Sequence, residues 1–247
     1  MPDTIQEPSF REVIAVSKMI LDDVRLTFNA QRVGPGKFRE LRDADYGLSY
    51  RMSAMPELVP LVYASFRNIG CKTAQNVVDA LMQYWLSGNT GILYTQKGMF
   101  VQDIPELVPT NRRISMNQED LEKRLGSKEE KRVVFSDDKS VRFVTYGFKT
   151  ESQSVLELSK NPGVIALTGS EENAEKLARV SEYYKSNPYF SAVYNINSSP
   201  IRIAILGSGG GLGGDRLTVG SYWANSNLGY AFGIKESEGT EGVVAKK

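Results

Sequence analysis

Apolar positions repeat at helical spacing in the first ninety residues and alternate in pairs after them. Ser9 followed by Glu12 forms a capping box, and Phe10, Val13, Ile14, Ser17, Ile20, Leu21 and Val24 repeat at helical spacing. This predicts an amphipathic helix from Ser9 to about Phe28. Two more helices are expected at Pro56–Ile69 and Lys72–Leu86, separated by Gly70. In the second, Ala74, Val77, Val78, Leu81, Met82 and Trp85 make the buried face. Pro56 and Pro60 fall near the start of the first, where proline is best tolerated.

After Ser87-Gly88-Asn89 the period shortens. Thr90–Thr95 and Gly98–Asp103 read as a hairpin turning at Gln96-Lys97. A helix is expected from Ser115 to about Leu125, followed by a solvated charged link from Lys128 to Arg132. Arg132–Phe135 and Ser140–Phe148 make a second hairpin, with Val141, Phe143 and Thr145 on one face and Arg142, Val144 and Tyr146 on the other. Gln153–Ser159 reads as a short helix and Val164–Leu167 as a buried strand between Gly163 and Gly169. Ser170 caps a helix that Asn187-Pro188 terminates. Phe190–Ile196, Ile201–Leu206, Arg216–Trp223 and Leu228–Ile234 are strand-like, and Lys235–Lys247 reads as a disordered tail. The fold class implied is α+β: a mainly helical N-terminal part (about 1–88), then a mixed part (89–234) with antiparallel strands and one or two helices, then a flexible C-terminal tail (235–247).

Composition narrows the chemistry. The chain has 247 residues, 41% hydrophobic and 24% charged, with net charge +1, so nothing global draws it to nucleic acid or an anionic membrane. No apolar run reaches the length of a membrane span. There is no histidine and one cysteine, Cys71. That excludes Ser-His-Asp and Cys-His catalysis and the usual zinc sites, so no catalytic residue, metal or cofactor is assigned. A lone cysteine also excludes an internal disulfide and suits a reducing compartment: the cytoplasm, or a virion if the source is viral.

Three features remain as candidate chemistry. Ile201–Leu206 runs into Gly207, Ser208, Gly209, Gly211 and Gly214, and Gly209, Gly211 and Gly214 satisfy G-x-G-x-x-G with Glu236 about where a ribose-binding acid would stand. A phosphate cradle needs a helix after the glycines, whereas Arg216–Trp223 is rich in β-formers, so a long turn between two strands is the competing reading. Arg32, Lys37, Arg39, Arg42 and Arg51 alternate with Phe38, Tyr46 and Tyr50, which suits single-stranded RNA, although Glu40, Asp43 and Asp45 dilute the positive field. Tyr184, Tyr189, Phe190, Tyr194, Tyr222 and Trp223 are aromatic residues of the kind enriched at interfaces.

Together these imply a non-catalytic structural or assembly protein: a self-associating coat, nucleocapsid, scaffold or linker subunit that could contact nucleic-acid phosphates without reading bases. Two alternatives stand beside it. One is a ligand-binding protein or transferase using Gly207–Gly214 for a phosphate. The other is an adaptor that binds another protein through the N-terminal helix.

Overall fold

The structure is a computed structural model and describes residues 10–13, 18–21, 25–29, 31–108, 110, 113–193, 198–208, 215–227 and 229–236. Four short strands, β1 (Phe10–Val13), β2 (Lys18–Leu21), β3 (Leu26–Asn29) and β4 (Val33–Gly36), occupy the stretch expected to open with a helix. Then come α1 (Phe38–Arg42), β5 (Arg51–Met52), α2 (Met55–Arg67) and α3 (Lys72–Gln83). The middle of the chain gives β6 (Trp85–Tyr94), β7 (Gly98–Asp103), β8 (Glu106–Leu107), β9 (Ile114–Ser115), α4 (Gln118–Arg124), β10 (Leu125–Glu130), β11 (Val133–Ser136), β12 (Val141–Thr145) and β13 (Glu151–Ser152). The last third gives α5 (Val155–Ser159), α6 (Pro162–Thr168), α7 (Glu171–Ser181), β14 (Tyr189–Ser191), β15 (Ile201–Gly207), β16 (Thr218–Tyr222), β17 (Gly229–Ala231) and β18 (Gly233–Glu236).

The expectation of a mainly helical N-terminal part is therefore corrected. β1, β2 and β3 form an antiparallel meander, and β18 from the far end of the chain pairs with β3 and β5 to complete a five-stranded sheet, β1-β2-β3-β18-β5. In β2, Met19 and Leu21 are buried while Lys18 and Ile20 are half-exposed, a period of two. Lys235, expected in a disordered tail, sits in β18 opposite Thr27; residues 237–247 lie outside the described residues.

A larger mixed sheet runs β10-β11-β12-β7-β6-β15-β16-β14-β13, with β17 joining β4 to β6. β14 lies parallel to β16, and β17 parallel to β6; the other pairs are antiparallel. β6 starts at Trp85, so this tryptophan belongs to the sheet and not to a helix, and the strand runs across the point where the sequence suggested a boundary. Lys128, expected in a loop, belongs to β10, a charged and exposed edge strand. Such an edge resists pairing with other chains.

Both faces of this sheet are covered. Ala204 and Leu206 of β15 point into one core with Leu58, Val62, Val77, Leu81, Val164 and Leu177 from α2, α3, α6 and α7. Ile203 and Ile205 point into a second core with Phe38 and Leu41 of α1, Leu121 of α4 and Met116. Each of the larger of these side chains, Val, Leu, Ile, Phe or Met, contributes about 1.5–3 kcal/mol relative to exposure. The alternation expected along β12 holds: Val141 and Phe143 join the second core and Val144 the first.

The helix ends follow from their sequences. In α7 the Ser170 hydroxyl accepts from the Asn173 backbone N–H at 3.1 Å, with Glu171 and Glu172 in the first turn. Val164–Leu167, expected as a strand, lies in α6. Asn161 caps it by accepting from Gly163 N–H at 2.9 Å, Pro162 opens it, and Gly169 closes it at φ +83°. Pro60 of α2 has no N–H for the Pro56 carbonyl one turn earlier; the Asn173 side-chain amide supplies the missing donor at 3.0 Å and so ties α7 to α2.

The β11–β12 turn is held by Asp138. Its carboxylate accepts from the Ser136 hydroxyl at 2.6 Å and from the Ser140 N–H and hydroxyl at 3.0 and 2.8 Å. The Ser136 hydroxyl, then the two groups of Ser140, hold its pKa down to about 2 from an ordinary 3.8. A depressed carboxylate stabilises the fold above the unfolded-state value, and that contribution is lost as pH falls through about 2. Asp138→Asn should therefore lower stability at neutral pH and flatten the stability profile between about pH 4 and 2, measured by urea unfolding across that range.

Candidate functional site

β15 carries Ile201–Leu206 as expected and ends at Gly207, where an added Cβ would stand 2.9 Å from Trp85 Cδ1. Ser208 is buried, and its hydroxyl donates to the Leu81 carbonyl at the end of α3, at 2.5 Å. Gly209, Gly211 and Gly214 lie outside the described residues. The next element is β16, antiparallel to β15 with Gly207 opposite Thr218. Two antiparallel strands thus flank residues 209–214, and the first described element after them is a strand, where a phosphate cradle requires a helix N-terminus. Glu236 ends β18 in the other sheet, opposite Leu26.

The five cations between residues 32 and 51 have different surroundings. Arg51 is paired end-on with Glu57, Nη1 to Oε2 at 2.9 Å and Nη2 to Oε1 at 2.6 Å. Arg42 donates to the Pro105 carbonyl. Lys37 and Arg39 are exposed on and beside α1. Arg32 leaves the group: its guanidinium lies over the rings of Tyr230 and Tyr84, 4.8 and 5.7 Å from their centroids.

The interface candidates also divide. Phe190 is buried in the first core and serves packing. Tyr184 packs against Phe66 with centroids 6.1 Å apart, and burial pushes its hydroxyl up to about 12. Tyr189 lies under the Arg216 guanidinium at 4.5 Å, and Tyr222 meets Trp85 edge to face at 4.2 Å. Tyr194 lies outside the described residues. Trp223 is different: 53% of it is exposed, and the guanidinium of Arg202 lies over its ring. Arg202 stands at the start of β15, half-buried, with Nη1 enclosed and without a hydrogen-bond partner. Near it the Tyr94 and Ser221 hydroxyls bond to each other at 2.8 Å.

A cavity of about 240 Å³ opens beside Arg32, lined by Gln31, Arg32, Asn76, Asp79 and Gln83. Asn76, Asp79 and Gln83 come from the outward face of α3, spaced three and four apart. That spacing is visible in the sequence, but a polar helical face is ordinarily solvated, and only the arrival of Arg32 gives it a second wall. Arg202 also escaped the sequence reading, because an isolated arginine in an apolar strand carries no pattern. Among the described residues no three His, Cys, Asp or Glu side chains could hold a metal ion, and no helix is long and apolar enough to cross a membrane.

No family model matches this chain, and no curated protein matches it. A solved structure from work on the accommodation of massive sequence variation in Nanoarchaeota by the C-type lectin fold is 14% identical, with 94% of this chain and 99% of that one covered at a TM-score of 0.48. A likeness of that degree carries no weight for the function.

Proposed function

We propose that this protein acts by contact and not by catalysis, as a self-associating structural subunit whose association surface is centred on Trp223 and Arg202. The observation that carries the reading is the exposed Trp223 ring with a guanidinium over it whose Nη1 has no partner. Exposing an indole forgoes burial free energy, and an enclosed N–H without an acceptor costs about 1–3 kcal/mol. A partner surface that covers the ring removes the first of these costs, and tryptophan and arginine are the residues that most often anchor such contacts. A second copy of the chain is the favoured partner because the net charge is only +1, so little electrostatic repulsion opposes self-association. A single cysteine, Cys71, suits a reducing compartment such as the cytoplasm.

Nucleic acid is the weaker partner. Arg51 is neutralised by Glu57, and Arg32 is turned away onto two tyrosines, which leaves a thin positive field around α1.

Sedimentation velocity over a wide concentration range tests the reading. The wild-type chain should gain mass as concentration rises. Trp223→Ala should weaken association by about 2 kcal/mol, roughly thirtyfold in Kd, while changing stability by no more than about 0.5 kcal/mol. A wild-type chain that stays monomeric throughout, or a Trp223→Ala variant that associates as well as wild type, would sink it.

A further inference from the structure

The cavity beside α3 brings a cation and an anion to face one opening without neutralising each other. Arg32 is held by ring faces, which fix the attitude of its guanidinium while leaving its N–H donors free to point outward. Those rings are themselves fixed: Tyr84 and Tyr230 pack together with centroids 4.7 Å apart, and Tyr230 is buried. Asp79, which lines the cavity, is steadied by the Gln75 carboxamide, which donates to its Oδ1 at 2.7 Å. Among the described residues the two charged groups line the same space but form no ion pair with each other. Among the described residues, Gln31, Asn76 and Gln83 add carboxamides to the lining, each able to donate and accept.

This charge arrangement selects among ligands. An anion alone would meet the Asp79 carboxylate, and a cation alone would meet Arg32. A neutral ligand would displace water from both charges without replacing the charge-assisted bonds. A molecule bearing opposite charges satisfies both. A guanidinium fork fits a carboxylate with two parallel hydrogen bonds, and a carboxylate accepts from an ammonium group. At about 240 Å³ the space is below the roughly 300–1,000 Å³ of pockets for drug-sized ligands, so the ligand is small. We infer that this cavity is a binding site for a small zwitterion, a free α-amino acid, with its carboxylate on Arg32 and its ammonium group on Asp79. Because both side chains are already oriented, little ordering opposes binding.

Isothermal titration calorimetry on the full chain tests this with the common α-amino acids, each beside its N-acetyl and carboxamide derivatives. At least one free amino acid should bind, and each derivative should bind about tenfold more weakly or worse. Arg32→Gln should erase the preference for the acid over the amide and keep the preference for the amine over its acetyl form. Asp79→Asn should do the reverse. Circular dichroism should show both variants folded, since both positions lie at the surface of the cavity. Trp223→Ala should leave amino-acid binding unchanged, so the site and the association surface stand or fall separately. The inference is overturned by no binding heat from any amino acid at about 10 mM, where even a millimolar ligand would fill most sites. It is equally overturned by acetylated or amidated forms that bind as well as the free acids, or by folded variants that bind like wild type.

Discussion

Asp103→Ala should cost this protein about 3–5 kcal/mol of stability, because it leaves a buried guanidinium without its counter-ion. Arg142 is 1% exposed and reaches Asp103 through two bonds, Nη1 to Oδ2 at 2.5 Å and Nη2 to Oδ1 at 2.8 Å. Nη1 also donates to the Lys139 carbonyl at 2.8 Å, while Nε has no partner. Asp103 Oδ1 accepts from the Thr90 hydroxyl at 2.7 Å, and that hydroxyl accepts from Met55 N–H, the first residue of α2, at 2.9 Å. One carboxylate thus joins β6, β7, β12 and the start of a helix that packs against α3. For a chain of this length the loss should appear as a fall in melting temperature of roughly 6–20 °C.

The companion variant separates the worth of the pair from the penalty of breaking it. Replacing both partners with apolar residues, Asp103→Leu with Arg142→Met, removes the stranded charge and should recover much of the loss. The single variant falling within about 1 kcal/mol of wild type would mean that water reaches the guanidinium and that the network is not a buried one.

The same non-local wiring explains what could be read from the sequence. The hairpins β6–β7 and β11–β12 were legible because turn residues and alternation sit within a few positions of each other. α3 and α7 were legible because their apolar stripes run three full turns between visible ends. Residues 10–28 were not. Phe10, Val13, Ile20 and Leu21 fit a period of 3.6, but Met19 and Leu21 also fit a period of two, and a short stretch cannot choose. The choice is made by β18, which sets Ile234 opposite Phe28. α6 was misread because four apolar residues fit either element, although Asn161-Pro162 and Gly169 announced a helix. Of the candidate sites, Arg32 was visible as a cation, but its two tyrosines and the polar face of α3 are brought to it only by the fold. Residue type marked aromatic candidates without saying which would be covered.

Phe190→Ala and Trp223→Ala should consequently behave as opposites. Phe190 is 1% exposed and its ring lies against α6: a Cβ on Gly163 would come within 2.5 Å of Cε1. Phe148 borders the same spot, 3.0 Å from that Cβ at its Cδ2, with the two ring centroids 5.8 Å apart. Emptying that space should cost about 3–5 kcal/mol in urea unfolding and leave the association of the folded fraction intact. Gly163→Ala tests the contact from the other side. In the wild-type background the new methyl collides with the ring and destabilises, by about 1–3 kcal/mol. In the Phe190→Ala background only the 3.0 Å approach to Phe148 Cδ2 remains, so the cost should fall well below its wild-type value. Additive effects in this cycle would show that ring and helix do not touch. Full stability of Phe190→Ala together with lost self-association would move this aromatic out of the core and onto the interface.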